Sequence, residues 1–321
     1  MSTDTLTRGR HRPVFRFAPS PNGPLHLGHA LSAGIGYRMA QASGGRFLLR
    51  IEDIDLTRTR SEHIEGIFRD LSWLGLSWED PVLRQSSRFD AYATAARALL
   101  DAGLLYPCFA TRSEIAAAAN RGPGGRDPDG APLYPAEILR PHADEAARRM
   151  ELGVPHALRL DMGRAIEAAR AKLGRWPMKF TEIGEDGLET VIEARPEIWG
   201  DAIIMRKETP ASYSIAVVID DAYQGVTHVT RGRDLFEATS LQRLLQALLD
   251  LPEPKYHHHR LVVDANGDKL AKSAGSQSIA ELRDKGIEPE AVWRQLGMTN
   301  PAPMPPSPSD DRETAQEPPQ C

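Results

Sequence analysis

His26 and His29 stand three residues apart in the segment RFAPSPNGPLHLGH, residues 16–29. On the first turn of a helix this spacing puts both imidazoles on one face, where each can donate to a phosphate oxygen. The flanking residues supply that helix. The apolar stretch 14–17 reads as a short buried strand, 19–24 as a Pro/Gly turn and 28–42 as a helix. In an open α/β sheet, ligands bind beyond the carboxyl ends of the strands. A helix start there offers free N–H groups and the positive end of a dipole to an anion. Gly28, lacking a side chain, would let a flat base reach the backbone. The plainer alternative is a histidine pair satisfied locally, with glycines serving the turn. No GxxxxGK or GxGxxG stretch offers a rival nucleotide site.

A second group with phosphate chemistry lies near the other end, in DANGDKLAKS, residues 264–273. Asn-Gly-Asp marks a turn. Lys269 and Lys272 follow it in a Gly-flanked segment, and a compact mobile ammonium suits a phosphoryl group whose charge moves during reaction. Read alone, these could equally be surface lysines on a solvated loop.

The elements that must hold these groups follow from periodicity. A second strand is expected over 47–51, and strand, turn, helix, strand is the pattern of a parallel α/β unit. Helices are expected over 61–74 and 88–102. The stretch 122–135, crowded with Gly, Pro and Asp, reads as a loop. Strands are expected at 157–160, 202–205 and 260–263, and helices over 236–249, 279–285 and 290–296. The near-continuous apolar run 214–219 reads as a central parallel strand. His257, His258 and His259 would alternate between the faces of a strand, so they do not form a ready chelate. Residues 300–321 read as a disordered tail.

Composition narrows the class. The chain has 321 residues, 41% hydrophobic and 26% charged, enough for one large or two medium domains. Two cysteines, Cys108 and Cys321, make no disulfide framework and fit a reducing compartment. The polar N-terminus lacks the apolar core of a signal peptide and no run is long enough to span a bilayer, so a cytoplasmic location with no membrane partner is the expectation. A monomer is expected. A net charge of -5 argues against a generic nucleic-acid sponge while leaving room for local basic surface.

Together, in this order, His26-Leu27-Gly28-His29 and Lys269-Leu270-Ala271-Lys272-Ser273 resemble the two signature motifs of class I aminoacyl-tRNA synthetases, written HIGH and KMSKS. RFAPSP at 16–21, LRIEDID at 49–55 and SYSIAVVIDDAYQGVTHVTRGRDL at 212–235 are similar to the glutamyl/glutaminyl subgroup. The resemblance covers residues 14–298. It implies an α/β fold: a Rossmann-like catalytic core with an inserted α+β subdomain and no anticodon-binding domain. The expected divisions are a flexible tail at 1–12, the first half of the core at 13–105, an inserted acceptor-type subdomain at 106–195 with a Gly/Pro loop near 121–135, the second half at 196–299 and the tail.

The resemblance implies an ATP-dependent ligase. His26, His29 and Lys272 would act on the phosphates, and His26, Gly28, His29, Lys269, Lys272 and Ser273 would bind ATP, which arrives with Mg2+. Arg16, Ala18, Ser20, Glu52, Tyr213 and Arg231 would bind L-glutamate. The chemistry agrees, since two arginine forks can meet two carboxylates and Glu52 can meet the ammonium. Which arginine reads which carboxylate stays open. Equally open is whether Asp220 and Asp221 face the site or cap the next turn, whether Arg16 and Glu52 pair with each other, and whether Tyr213 is core.

The chain ends a short way beyond Ser273. That pattern resembles the glutamyl-queuosine tRNA(Asp) synthetase family, in which glutamate is attached to queuosine at the wobble position of tRNA(Asp). The alternatives are the core of an ordinary glutamyl-tRNA synthetase charging tRNA(Glu), a non-catalytic tRNA-binding paralogue, and a ligase that passes adenylated glutamate to another acceptor. Relatives often hold zinc with three cysteines and a tyrosine. Here Cys108 and Tyr134 remain, but Ala110 and Ile138 stand at the other two positions, so the set is incomplete and zinc is not expected.

Overall fold

In a computed structural model, residues 12–121, 124–262 and 277–302 are described. Among the described residues ten strands form two sheets: β1 (Val14–Phe17), β2 (Arg46–Ile51), β3 (Glu79–Arg84), β4 (Leu105–Cys108), β5 (Ala157–Leu160), β6 (Lys179–Ile183), β7 (Glu189–Glu193), β8 (Ile203–Met205), β9 (His228–Gly232) and β10 (Lys255–His259). The larger sheet runs β3-β2-β1-β9-β10-β6-β7, and the smaller runs β4-β5-β8. Neighbours in the larger sheet are parallel except the β6-β7 hairpin at its edge. The small sheet is antiparallel.

Period-two alternation decides which side chains meet which layer. Phe15, Phe17, Phe47, Leu49 and Ile51 point to one face and join a core with helices α1 (Leu27–Ala42) and α2 (Ser61–Trp73). Val14, Leu48 and Val229 point to the other, into a core with α3 (Phe89–Asp101) and the helices after it. Those are α4 (Arg112–Ala119), α5 (Ala136–Leu139), α6 (Ala143–Glu151), α7 (Met162–Leu173), α8 (Tyr213–Tyr223), α9 (Ala238–Leu248), α10 (Ile279–Asp284) and α11 (Pro289–Gln295). Of these, α7, α8 and α9 supply residues of the second core, while α10 and α11 belong to the first. Both faces of the parallel strands are therefore covered, as such sheets require. At Gly36 a Cβ would lie 2.6 Å from Thr230 Oγ1, so glycine lets α1 settle closely on β9. Among the described residues no helix is long and apolar enough to cross a membrane.

The expected strand over 214–219 is instead the middle of helix α8. The run is apolar on nearly every side because the helix is buried; Ile215, Ala216, Val217 and Val218 all lie in the core. A short apolar run cannot separate a buried strand from a buried helix. The strand expected at 260–263 lies earlier, at Lys255–His259. The sheets also interleave across 195/196: β6 and β7 precede that point and belong to the larger sheet, whereas β8 follows it and belongs to the smaller.

Candidate active site

The chain leaves β1 for β2 on one side, and β9 pairs with β1 on the other, so the crevice between β1 and β9 is a topological switch point. A cleft of about 400 Å³ opens there. Its walls come from the carboxyl ends of the strands and the helix starts that follow. Arg16, Ala18 and Ser20 line it from the end of β1, His26, Gly28 and His29 from the start of α1, Glu52 from beyond β2 and Tyr213 from the start of α8. Thr230 and Gly232 of β9, Asp234 just beyond it and residues 259–262 also line it. Eight of the residues expected from the sequence thus line one cleft.

His26 is the N-cap of α1, with its Nδ1 accepting the Gly28 N–H at 3.1 Å. His29 returns the arrangement, its Nδ1 accepting the His26 N–H at 3.2 Å. The rings lie 3.9 Å apart between centroids. With both Nδ1 atoms accepting, each neutral ring carries its proton on Nε2, the form that can donate to a phosphate oxygen. A Cβ at Gly28 would lie 3.0 Å from His26 Cε1, so the glycine makes room for the capping ring itself. That is a different reason for the glycine from the approach of a base expected above.

Lys269, Lys272 and Ser273 lie outside the described residues. The residues flanking that segment are at the cleft: Val262 lines it, and Ser278 pairs with His26 through an isolated bridge while Ile279 N–H donates to Leu25 O at 2.8 Å.

The amino-acid end of the cleft is built from buried charge. Register puts Arg16 beside Leu48, and alternation then puts Arg50 and Glu52 on the same face, toward α8. Arg16 donates to both oxygens of Asp221, from Nε at 3.0 Å and Nη2 at 3.4 Å. Arg50, with no exposed surface, donates from Nη1 to Asp221 at 2.7 Å and from Nη2 to Glu52 at 3.2 Å. Burial raises the pKa of Glu52 against the pull of Arg50 and Arg16. At Asp221 burial acts in the same upward direction, but Arg16 and Arg50 outweigh it and hold the carboxyl below its ordinary value. The four groups together are charge-neutral.

Arg231 differs. Its partners are Thr239 at 2.6 Å, Gln242 at 2.7 Å, His258 at 3.1 Å and Tyr213 at 3.5 Å, all uncharged in this arrangement. Among the described residues it forms no ion pair with a carboxylate. It sits behind Tyr213, buried, on the sheet face that carries Arg16 and Arg50.

Arg16 pairs with Asp221 and Glu52 with Arg50, not with each other. Tyr213 is half-buried and lines the cleft. Asp221 braces Arg16 and Arg50, whereas Asp220 accepts from Arg88, Gln85 and Tyr92 at 2.6–3.0 Å. His257, His258 and His259 lie on β10 with separate partners: Ile183 O, Glu182 and Arg260 O. Cys108 and Tyr134 share a small apolar cluster, against which Ala110, Ile115 and Leu139 pack. Among the described residues no group of three or more His, Cys, Asp or Glu could hold a metal. Sequence reading missed Arg50, although its place two residues before Glu52 on a strand puts both on one face.

The family model for the catalytic domain of class I tRNA synthetases (E and Q) matches residues 14–304. A protein named Glutamyl-Q tRNA(Asp) synthetase from Rhodobacter capsulatus is 44% identical over 290 residues, covering 89% of this chain and 100% of that protein. Glutamate–tRNA ligase 1 from Methylococcus capsulatus is 39% identical over 290 residues, covering 88% of this chain and 58% of its own length. A crystal structure of a glutamate tRNA ligase from Elizabethkingia meningosepticum, in complex with its amino acid, matches with a TM-score of 0.71 at 26% identity, covering 89% of this chain and 60% of that one. This chain spans less than two thirds of the two glutamate–tRNA ligases. With the family model matching nearly its whole described length, the chain belongs to the class I tRNA synthetases of the E and Q type, a family of ligases that includes the proteins named Glutamyl-Q tRNA(Asp) synthetase.

Proposed function

We propose that this chain activates L-glutamate with ATP, without needing tRNA for that step, and transfers it to queuosine at the wobble position of tRNA(Asp). The observation that carries the first half is the buried charge behind the amino-acid end of the cleft. Arg16, Asp221, Arg50 and Glu52 cancel, and among the described residues Arg231, buried beside Tyr213, forms no ion pair with a carboxylate. A buried guanidinium without an anionic partner suits glutamate, which has two carboxylates and one ammonium. Glutamine is neutral overall and would leave that buried cation poorly compensated.

In this reading Glu52 takes the ammonium, Arg231 with Tyr213 meets one carboxylate and Arg16 the other. ATP enters as its magnesium complex, so the metal is part of the substrate. His26 and His29 donate from Nε2 to its phosphates, and Lys269 and Lys272 act on them from the neighbouring segment. The α-carboxylate of glutamate attacks the α-phosphorus. The bond to the pyrophosphate oxygen breaks, and the lysines and histidines stabilise the charge gathering on the leaving group. A hydroxyl of the acceptor then attacks the mixed anhydride and AMP leaves.

The acceptor rests on the relative from Rhodobacter capsulatus, whose name specifies Q and tRNA(Asp) and which this chain matches over its full length. Relatives named glutamate–tRNA ligase support the second reading, charging of tRNA(Glu). Pyrophosphate exchange without tRNA tests activation: glutamate should support it and glutamine should not. Equal exchange with both amino acids would overturn the glutamate assignment.

A further inference from the structure

We propose that Asp221 is a positioning residue for the amino-acid end of the cleft, holding Arg16 directly and Glu52 through Arg50. This rests on the glutamate reading above. Asp221 lies on α8, the helix that begins at the cleft residue Tyr213. It is buried, and its two oxygens carry three donated bonds, two from Arg16 and one from Arg50. Arg50 spans from it to Glu52 and also donates to Gln224 at 3.1 Å. Arg16 and Glu52 line the cleft, but Asp221 and Arg50 do not. One anion behind the wall therefore sets the direction of a guanidinium meant for a carboxylate and of a carboxylate meant for an ammonium. Arg16 also donates to Thr230 O at 3.4 Å, but of these partners only Asp221 is anionic and grips the fork at two nitrogens, and a fixed fork loses less entropy when a ligand arrives.

Asn at 221 keeps the shape but turns one oxygen into an NH2 that faces a guanidinium donor. The bidentate hold on Arg16 is then lost. Glutamate and MgATP binding to the full chain, measured separately by calorimetry, and pyrophosphate-exchange kinetics read the consequence. Asp221→Asn should raise the glutamate KM at least roughly tenfold, the scale of one charge-assisted hydrogen bond. The kcat at saturating glutamate should stay within about threefold and MgATP affinity should be unchanged, because the phosphate end has its own supports. A purely structural residue would lower the melting temperature and leave the KM alone. Asp221→Asn combined with Arg50→Met removes one charge of each sign, restores neutrality and leaves Arg16 without its bidentate anionic brace, so its KM should stay raised.

A folded single or double variant with the parental KM overturns the proposal. So does loss of folding in both, which would assign the network to stability. If the unaltered chain binds no glutamate, the functional reading falls first and this inference falls with it.

Discussion

Arg231 donates from Nε to Nε2 of His258 at 3.1 Å. The direction of that bond fixes the histidine: Nε2 accepts, so the ring proton sits on Nδ1, which meets Glu182 at 2.7 Å. Protonating Nε2 would set a cation against Arg231. Burial first, and Arg231 with it, push the His258 pKa down to about 4 from an ordinary 6.5, although Glu182 pulls the other way. Between those values the unfolded chain binds a proton that the folded chain refuses. Stability from this group is therefore complete above pH 6.5 and is lost as pH falls toward 4, by about 3 kcal/mol at most. Burial lowers His259 and His228 as well, which adds in the same direction. Urea unfolding at a series of pH values should show this slope, and His258→Asn should flatten it. An equally steep slope in that variant would reject a neutral, buried His258.

Arg231→Gln should separate amino-acid recognition from ATP chemistry. The substitution removes the buried guanidinium beside Tyr213 while Thr239 and His258 remain. Loss of one partner of a buried charge pair costs about 2–5 kcal/mol, so the glutamate KM should rise roughly a hundredfold or more. MgATP affinity should not change. A variant that still discriminates glutamate from glutamine as the parent does would place the selecting cation elsewhere.

At His26 one side chain has two roles, and two substitutions divide them. Asn caps helices well, so His26→Asn keeps an acceptor for Gly28 N–H and should retain stability within about 0.5 kcal/mol. It removes the Nε2 donor and should slow pyrophosphate exchange by roughly a hundredfold. His26→Ala loses both, with about 1 kcal/mol of added destabilisation. Lys272→Ala should resemble the Asn variant, slowing exchange by a similar factor with little change in glutamate affinity. Parental exchange rates in His26→Asn would leave the histidine with its capping role alone.

How far the sequence could be read depends on how local each signal is. Val14–Phe17 and Ala157–Leu160 fall at the expected residues, and α1 begins one residue before the expected start, because turn, cap and periodicity lie within a few residues of each other. The β6-β7 hairpin was not foreseen. Its edge strand reads ETVIE and is mostly exposed, so it carries no hydrophobic stripe. Helix α8 misled for the opposite reason, being apolar almost all round. Words such as RFAPSP, LHLGH and LRIEDID located the cleft residues, since each word spans one strand end or helix start. The pairing of Arg50 with Asp221 joins positions 171 residues apart, and only the packing of α8 on β2 brings them together.

The segment around Cys108 and Tyr134 should hold no zinc. Cys108 and Tyr134 are buried together, Ala110 packs against them, and Ile138 is exposed, so neither further position offers a donor. We expect less than stoichiometric zinc by elemental analysis and a melting temperature indifferent to chelator. Cys108→Ser should destabilise by about 1–2 kcal/mol, as expected when a hydroxyl enters an apolar cluster, with or without added zinc. About one zinc per purified chain would overturn this.

The RNA acceptor separates the two readings most sharply. Queuosine carries a cyclopentene diol, and an ordinary synthetase esterifies a ribose diol, so the same adenylate chemistry can serve either. We expect labelled glutamate to reach tRNA(Asp) from cells that make queuosine and not tRNA(Asp) from cells that cannot. The bond should survive removal of the tRNA 3′ end, and tRNA(Glu) should remain unlabelled. The chain carries a net charge of -5, so RNA must be held by local Arg and Lys surface against repulsion from the rest. Transfer should therefore weaken steeply as salt rises, while glutamate activation in the cleft, whose charges are buried, should change much less. Equal labelling of both tRNA(Asp) preparations, or label that leaves with the 3′ adenosine, would instead support charging at the acceptor end.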